Sequence, residues 1–185
     1  MPLRAARLDA SVTLLGALAG GRNLERAIQF AAVLFVTALT AAAAQVSVPL
    51  PFTPVPFTLQ PMVVLLGGAA LGSRLGMASQ VLYLLLGVAG LPVFAASPVL
   101  PQGILRLVGP TGGYLMSYPL AALVTGTLAE RGFDRRYLTS VLAMTAGLAV
   151  IFTCGIVWLV LNGRLKGTGI ENGKAALRST PIEAG

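Results

Sequence analysis

The chain has 185 residues, of which 56% are hydrophobic and only 10% charged, and its mean hydropathy is +0.83. Soluble domains carry about 25% charged residues, so this composition excludes a soluble fold and predicts an all-α integral membrane protein. The net charge of +7 comes from basic residues in short segments between apolar runs, which indicates membrane topology rather than nucleic-acid binding.

Residues 1–25 precede the first long apolar run and are predicted to be a cytoplasmic or interfacial N-terminal segment. The alternative is a secretory signal peptide, with Ala17-Leu18-Ala19 as its cleavage pattern. The apolar part of that segment is short, and cleavage would leave Arg22 and Arg26 on the outer side of the next span. The cytoplasmic or interfacial interpretation is therefore preferred.

The first predicted span runs from about Ala27 to Val48 and is rich in alanine. Ala38 and Ala42 are four residues apart, and small residues at this spacing form a shallow groove where a second helix can approach closely. Such a groove accepts either a helix of another subunit or a helix of the same chain. Composition alone favours packing within the chain.

Two proline-rich segments interrupt the apolar runs, at residues 49–61 and 91–110. Their prolines are incompatible with a continuous helix, and non-helical backbone persists at membrane depth only where it is buried in protein or lines a cavity. Both segments are predicted to be loops that close over one cavity on the outer face.

Four further spans are predicted, with a tight turn at 72–76 between the second and the third. They cover about Met62–Leu71, Met77–Ala89, Gly112–Ala129 and Leu138–Leu161. With a cytoplasmic N-terminus, eight arginines lie on the inner side and only Arg106 on the outer side, which follows the positive-inside rule. The loop carrying Glu130 is interpreted as a solvated turn, and Trp158 as a residue of the membrane interface.

The polar residues 164–185 are predicted to be a disordered tail, so that the membrane domain covers residues 26–163. An odd number of spans places the basic residues of this tail outside. That placement conflicts with the charge bias of every other segment.

Candidate ligand groups are few, because the chain has no histidine and no acidic residue within the predicted spans. No catalytic constellation, metal site or phosphate-binding loop is recognised, so an ATP-driven process requires a partner subunit. Arg106 suits one carboxylate through a forked, charge-assisted contact; the alternative is a loop charge among lipid headgroups. The other polar groups that could face an outer cavity are Thr58, Gln60, Gln80, Tyr83, Ser97, Gln102, Thr111, Tyr114 and Ser117, with Phe52, Phe57 and Phe94 available for stacking.

Three segments, taken together, resemble the BioY family, the biotin-binding S components of energy-coupling-factor transporters. They are PVPFTLQP (54–61), GSRLGMASQVLYLLLGVAGLPVF (72–94) and GPTGGYLMSYPLAA (109–122). The resemblance covers about residues 25–163. It implies a six-helix membrane protein of the prokaryotic cytoplasmic membrane that captures biotin from outside, has no cofactor and is not an enzyme.

The same resemblance implies partners and site residues. The partners are a transmembrane coupling subunit, which docks on the alanine pair Ala38 and Ala42, and two ATPase subunits that use the ATP. The residues implied for biotin binding are Thr58, Gln60, Tyr83, Gly109, Thr111, Gly113 and Tyr114, and Arg106 is added from its charge.

The chain departs from the family pattern after Asn162-Gly163, where relatives continue into a sixth helix with pocket residues. Five helices of the six are recognisable, and the sixth is expected to be missing or replaced. Two alternatives therefore stay open beside biotin uptake. One is a truncated, non-transporting product, and the other is a small-molecule secondary transporter of another class.

Overall fold

The fold is taken from a computed structural model that describes residues 22–48, 56–95, 103–133 and 137–178, without the side chains of 22–23 and 163–178. Its elements are α1 (Arg22–Gln45), β1 (Ser47–Val48), β2 (Phe57–Thr58), α2 (Gln60–Val88), α3 (Ile104–Val108), α4 (Gly112–Glu130) and α5 (Tyr137–Arg178). The five predicted spans correspond to α1, the two halves of α2, α4 and α5. The short helix α3 and the pairing of β1 with β2 were not predicted.

Helix α2 folds back on itself at Gly72, so its two halves lie side by side in opposite directions. Gly72 has a φ of +83°, a left-handed conformation that glycine adopts without strain. The Gln60 amide donates to the Tyr83 hydroxyl at 2.5 Å across 23 residues, a contact impossible within one straight helix. The turn predicted at 72–76 is therefore present, and it brings both ends of α2 together.

Glu130 holds this turn in place and is not simply a solvated loop residue. Its carboxylate accepts the backbone N–H of Ser73 at 2.7 Å and the Ser73 hydroxyl at 2.9 Å. Ser73 opens the second half of α2, where backbone N–H groups have no partner within the helix. The prediction of a solvated turn missed this contact because Glu130 and Ser73 are 57 residues apart in sequence.

The helices pack in the order α1, α2, α4, α5. Helix α2 lies between α1 and α4, and α5 packs mainly on α4. The buried core is formed where α2, α4 and α5 meet, with segment 91–95 alongside. Its residues are Val64, Leu65, Tyr83, Phe94, Leu115, Tyr118, Ala121, Ala122 and Ile151.

Three helices of the described chain are long and apolar enough to cross a membrane: Leu24–Gln45, Gln60–Val88 and Tyr137–Asn162. Helix α4, which the sequence predicts as a further span, is not among them. Its glycine, serine, tyrosine and proline residues lower its hydropathy. The all-helical membrane class is confirmed at this level.

Helix α5 continues to Arg178, where the sequence predicted a disordered tail from residue 164. The expectation rested on the polar, glycine-rich composition of that segment. The segment also contains leucine, lysine, alanine and arginine, which have high helix propensity. Within the described residues, this extension of α5 follows Asn162 in place of a separate sixth helix.

Candidate functional site

A small pocket, partly open to solvent, lies between the start of α2, the start of α4 and the loop segments around them. Its cavity volume is about 40 Å³. Its lining residues are Pro56, Thr58, Gln60, Phe94, Ala95, Arg106, Thr111, Tyr114, Leu115 and Tyr118. Five of the eight residues predicted to bind ligand are in this set: Thr58, Gln60, Arg106, Thr111 and Tyr114.

Arg106 is the cation of the pocket and is only 1% exposed. Its Nη2 donates to the Ala95 carbonyl at 2.6 Å, which orients the guanidinium and fixes segment 91–95 beside α3. Burial lowers the pKa of Arg106 from its ordinary value, but an arginine begins above about 12 and stays cationic at neutral pH. The pocket therefore holds a desolvated positive charge.

Thr111 presents a hydroxyl that has no hydrogen-bond partner among the described residues. The side chain is 6% exposed and lines the pocket. A buried polar group without a partner costs about 1–3 kcal/mol. A ligand that bonds this hydroxyl would recover that free energy.

Thr58 and Gln60 are held by a chain of hydrogen bonds that crosses the pocket wall. The Thr58 hydroxyl donates to Gln60 Oε1 at 3.2 Å, and Gln60 Nε2 donates to Tyr83, whose hydroxyl donates to the Val93 carbonyl at 3.1 Å. The β1–β2 pairing, with Ser47 opposite Thr58, fixes the start of this chain beside the end of α1. Tyr83 is fully buried and is not among the residues that line the pocket; its hydroxyl contacts Gln60, which does line it.

Aromatic rings form the apolar walls. Phe94 meets Tyr83 edge-on at 5.6 Å between ring centroids, and Tyr114 meets Phe152 edge-on at 6.2 Å. The Phe94 ring lies against Gly87, where a Cβ would overlap it. Helix α2 thus needs a glycine at this position to admit one wall of the pocket.

Gly109 and Gly113 do not line the pocket, although both were predicted to bind ligand. The Gly109 carbonyl accepts the indole N–H of Trp158 at 2.9 Å. A Cβ at Gly113 would lie 2.2 Å from Trp158 Cβ. These glycines therefore allow α5 to approach the start of α4, and Trp158 contacts backbone rather than serving only as a membrane-interface residue.

Several other predicted cavity groups lie elsewhere. Gln80 is fully buried between α1 and α2, where its Nε2 donates to Thr40 at 3.3 Å. Ser117 donates to the Tyr114 carbonyl of its own helix, and Phe57 is 63% exposed. Phe52, Ser97 and Gln102 lie outside the described residues.

Four lining residues were not predicted from the sequence: Pro56, Ala95, Leu115 and Tyr118. Thr111, Leu115 and Tyr118 follow one another at spacings of four and three, which places them on one face of α4. That spacing could have identified the two α4 residues once Thr111 was chosen. Pro56 and Ala95 carry no polar group and gave no such signal.

The alanine pair of α1 lies on a face that the described part of the chain leaves exposed. Ala38 and Ala42 are exposed, and so are Leu34, Phe35 and Leu39 beside them. Within the described residues, packing inside the chain therefore does not cover this pair, and docking of another subunit there stays a prediction. The face is available to lipid or to a helix of another protein.

The chemistry of the pocket suits a small, mostly apolar molecule with one acidic group. Arg106 supplies the positive charge, Thr111 and the Thr58–Gln60 pair supply neutral polar groups, and the walls are apolar or aromatic. Within the described residues, no group of three or more His, Cys, Asp or Glu side chains is placed to hold a metal ion.

Comparison with known proteins gives one family and several close relatives. The BioY family model matches residues 13–179, a wider range than the 25–163 expected from the motifs. The probable biotin transporter BioY of Pyrococcus horikoshii is 42% identical over 137 residues, covering 72% of this chain and 75% of that protein. The biotin transporter BioY of Thermotoga maritima is 43% identical over 129 residues, covering 68% and 69%.

A solved structure supports the fold. The crystal structure of the S-component for biotin from an ECF-type ABC transporter superposes with a TM-score of 0.70, covering 79% of this chain and 78% of that one. Its sequence identity is 23%, so the likeness concerns the fold alone. The helical arrangement described above therefore resembles that of this S-component.

Proposed function

Since this chain belongs to the BioY family, we propose that it binds biotin and takes it up as the substrate-binding S component of an energy-coupling-factor transporter. It acts as a transport subunit and not as an enzyme, and it needs no cofactor. The observation that carries the proposal is the pocket lined by both the buried Arg106 and Thr111, whose hydroxyl has no hydrogen-bond partner among the described residues.

The chemistry of biotin fits the groups of this pocket. Its valerate carboxylate would pair with Arg106, and its neutral ureido group would exchange hydrogen bonds with hydroxyl and amide groups. Thr111 is the first candidate for that exchange, because its hydroxyl is not engaged by the described residues. The thioether ring and the valerate chain would contact Phe94, Tyr114 and Tyr118.

Three of the predicted residues, Tyr83, Gly109 and Gly113, do not contact the ligand in this proposal but hold residues that do. Tyr83 holds Gln60, whose amide lines the pocket. Gly109 and Gly113 hold the backbone on either side of Thr111. Five of the eight are thus direct contacts, namely Thr58, Gln60, Arg106, Thr111 and Tyr114, whereas the other three position them.

We further propose five membrane-crossing segments: α1, the two halves of α2, α4 and α5. The chain would lie in the cytoplasmic membrane of a prokaryote, with the pocket opening to the outer side and Glu130 and Arg131 on the inner side. The arginine distribution supports this orientation.

The proposed partners are a transmembrane coupling subunit, docked on the exposed Ala38–Ala42 face of α1, and two ATPase subunits. Replacing both Ala38 and Ala42 by leucine should abolish co-purification with the coupling subunit, because the shallow groove is filled. Biotin binding should remain, since neither residue lines the pocket. Ala70→Leu, the same change at an exposed position of α2, is the control. Retained assembly in the double variant would exclude this face as the docking site.

Biotin itself should raise the thermal stability of the purified protein. A ligand at about 100 times its dissociation constant adds about 2.7 kcal/mol to the free energy of unfolding. The measurement is thermal unfolding in detergent with excess biotin, compared with desthiobiotin and lipoate. A biotin-specific upward shift is expected. An unchanged midpoint in a folded sample would contradict the proposal.

A further inference from the structure

Trp158 lies on α5 where this helix contacts the start of α4. Its side chain forms a hydrogen bond with the backbone that joins α3 to α4. Its Nε1 donates to the Gly109 carbonyl at 2.9 Å, and the Gly112 N–H donates to the same carbonyl at 3.0 Å. One oxygen thus ties α5 to the junction and closes the turn that opens α4. A Cβ at Gly112 would lie 3.1 Å from the indole nitrogen, so the indole lies directly against this backbone.

This junction carries the two polar groups on which the site depends. Arg106 lies in α3, three residues before Gly109, and Thr111 lies two residues after it. Helix α3 has only five residues, and a helix this short does not hold its own geometry without outside contacts. The direction of both side chains therefore depends on what holds the junction in place.

We propose that Trp158 is a positioning residue of the ligand site, acting through the Gly109 carbonyl to keep Arg106 and Thr111 directed into one pocket. The part of this inference that concerns ligand affinity rests on the proposed biotin-binding function. Trp158 does not line the pocket, so its effect on the ligand passes through the backbone. When the junction is already ordered, binding does not have to order it, and the ligand binds more tightly.

The experiment compares Trp158→Phe with the wild-type chain in detergent. Phenylalanine keeps an apolar ring but removes the N–H donor. Hydrogen exchange of the amides of residues 107–115 is measured without ligand, and biotin affinity is measured by calorimetry. Loss of one hydrogen bond predicts exchange about fivefold faster in this segment and a dissociation constant about fivefold higher. Val157→Ala, the neighbouring exposed position, should change neither quantity.

A second variant removes the same contact from the other side. Gly113→Ala places a Cβ 2.2 Å from Trp158 Cβ and 2.8 Å from the Cys154 carbonyl oxygen, so α5 must shift and carry the indole with it; the same local increase in exchange is expected. Exchange in α1 reports overall folding. Wild-type exchange at residues 107–115 in Trp158→Phe would overturn the inference. Faster exchange throughout α1 in both variants would also overturn it, because Trp158 would then contribute to general stability.

The two proposals fail separately in this design. A wild-type chain that does not bind biotin removes the proposed function. The exchange data still decide whether Trp158 orders the junction.

Discussion

Replacement of Arg106 by alanine is expected to weaken biotin binding by about 100-fold, since removing one partner of a buried charge pair costs about 2–5 kcal/mol. Arg106 is 1% exposed and lines the pocket, so its charge meets a ligand carboxylate away from screening water. Calorimetric titration of the purified variant with biotin gives the change in dissociation constant.

The control for a direct contact is a ligand without the carboxylate. Arg106 also bonds the Ala95 carbonyl, so alanine could loosen segment 91–95 and weaken any ligand. Biotinol, which carries a hydroxyl in place of the carboxylate, separates the two effects. Wild-type and variant proteins should bind biotinol with similar affinity if the guanidinium pairs with the carboxylate.

Two arginine variants complete the test. Arg106→Lys keeps the charge but loses the forked donor geometry, so an intermediate loss is expected. Arg74→Ala removes an exposed arginine of α2 and should leave affinity unchanged. Equal biotin affinity in wild type and Arg106→Ala would remove Arg106 from the ligand site.

The sequence predicted the helical segments and part of the site for local physical reasons. Long apolar runs bounded by proline or glycine located α1, α4 and the two halves of α2, and Gly72 marked the turn between those halves. Isolated polar groups within apolar surroundings then pointed to Thr58, Gln60, Arg106, Thr111 and Tyr114, which the structure gathers in one pocket. A polar group in such a segment requires a partner or a cavity. Composition offered ten such groups, and the resemblance to the BioY family singled out Thr58, Gln60, Thr111 and Tyr114 among them.

The contacts that the sequence could not supply depend on pairs distant along the chain. Gln80 is as polar as Gln60, yet it faces Thr40 of α1, because the rotation of each helix is set by its neighbours. Trp158 and Gly109 are 49 residues apart, and their bond depends on how α5 crosses α4. Neither hydropathy nor local spacing specifies that crossing.

Helix α4 crosses the turn of α2 at a distance that only glycine permits, which makes Gly126 the second sensitive position. A Cβ there would lie 2.5 Å from Ser73 N and 2.6 Å from Gly72 C, both of them backbone atoms. Backbone cannot rotate aside as a side chain can, so the cost of overpacking reaches about 3 kcal/mol. Alanine recovers about 1 kcal/mol of helix propensity. Gly126→Ala should therefore lower the free energy of unfolding by about 2 kcal/mol.

Reversible unfolding in mixed detergent measures this loss, and the adjacent position provides its control. Thr127 is half-buried, and its hydroxyl bonds the Val124 carbonyl of its own helix, so Thr127→Ala should change stability little. The same crossing holds Ser73 against Glu130, so displacement of α4 should also break that contact.

Since Tyr118 lies two turns earlier on α4 and lines the pocket, biotin affinity should fall with stability in Gly126→Ala. A variant as stable as the wild type would mean that α2 and α4 can separate at no cost, and the close crossing would then not hold the pocket together.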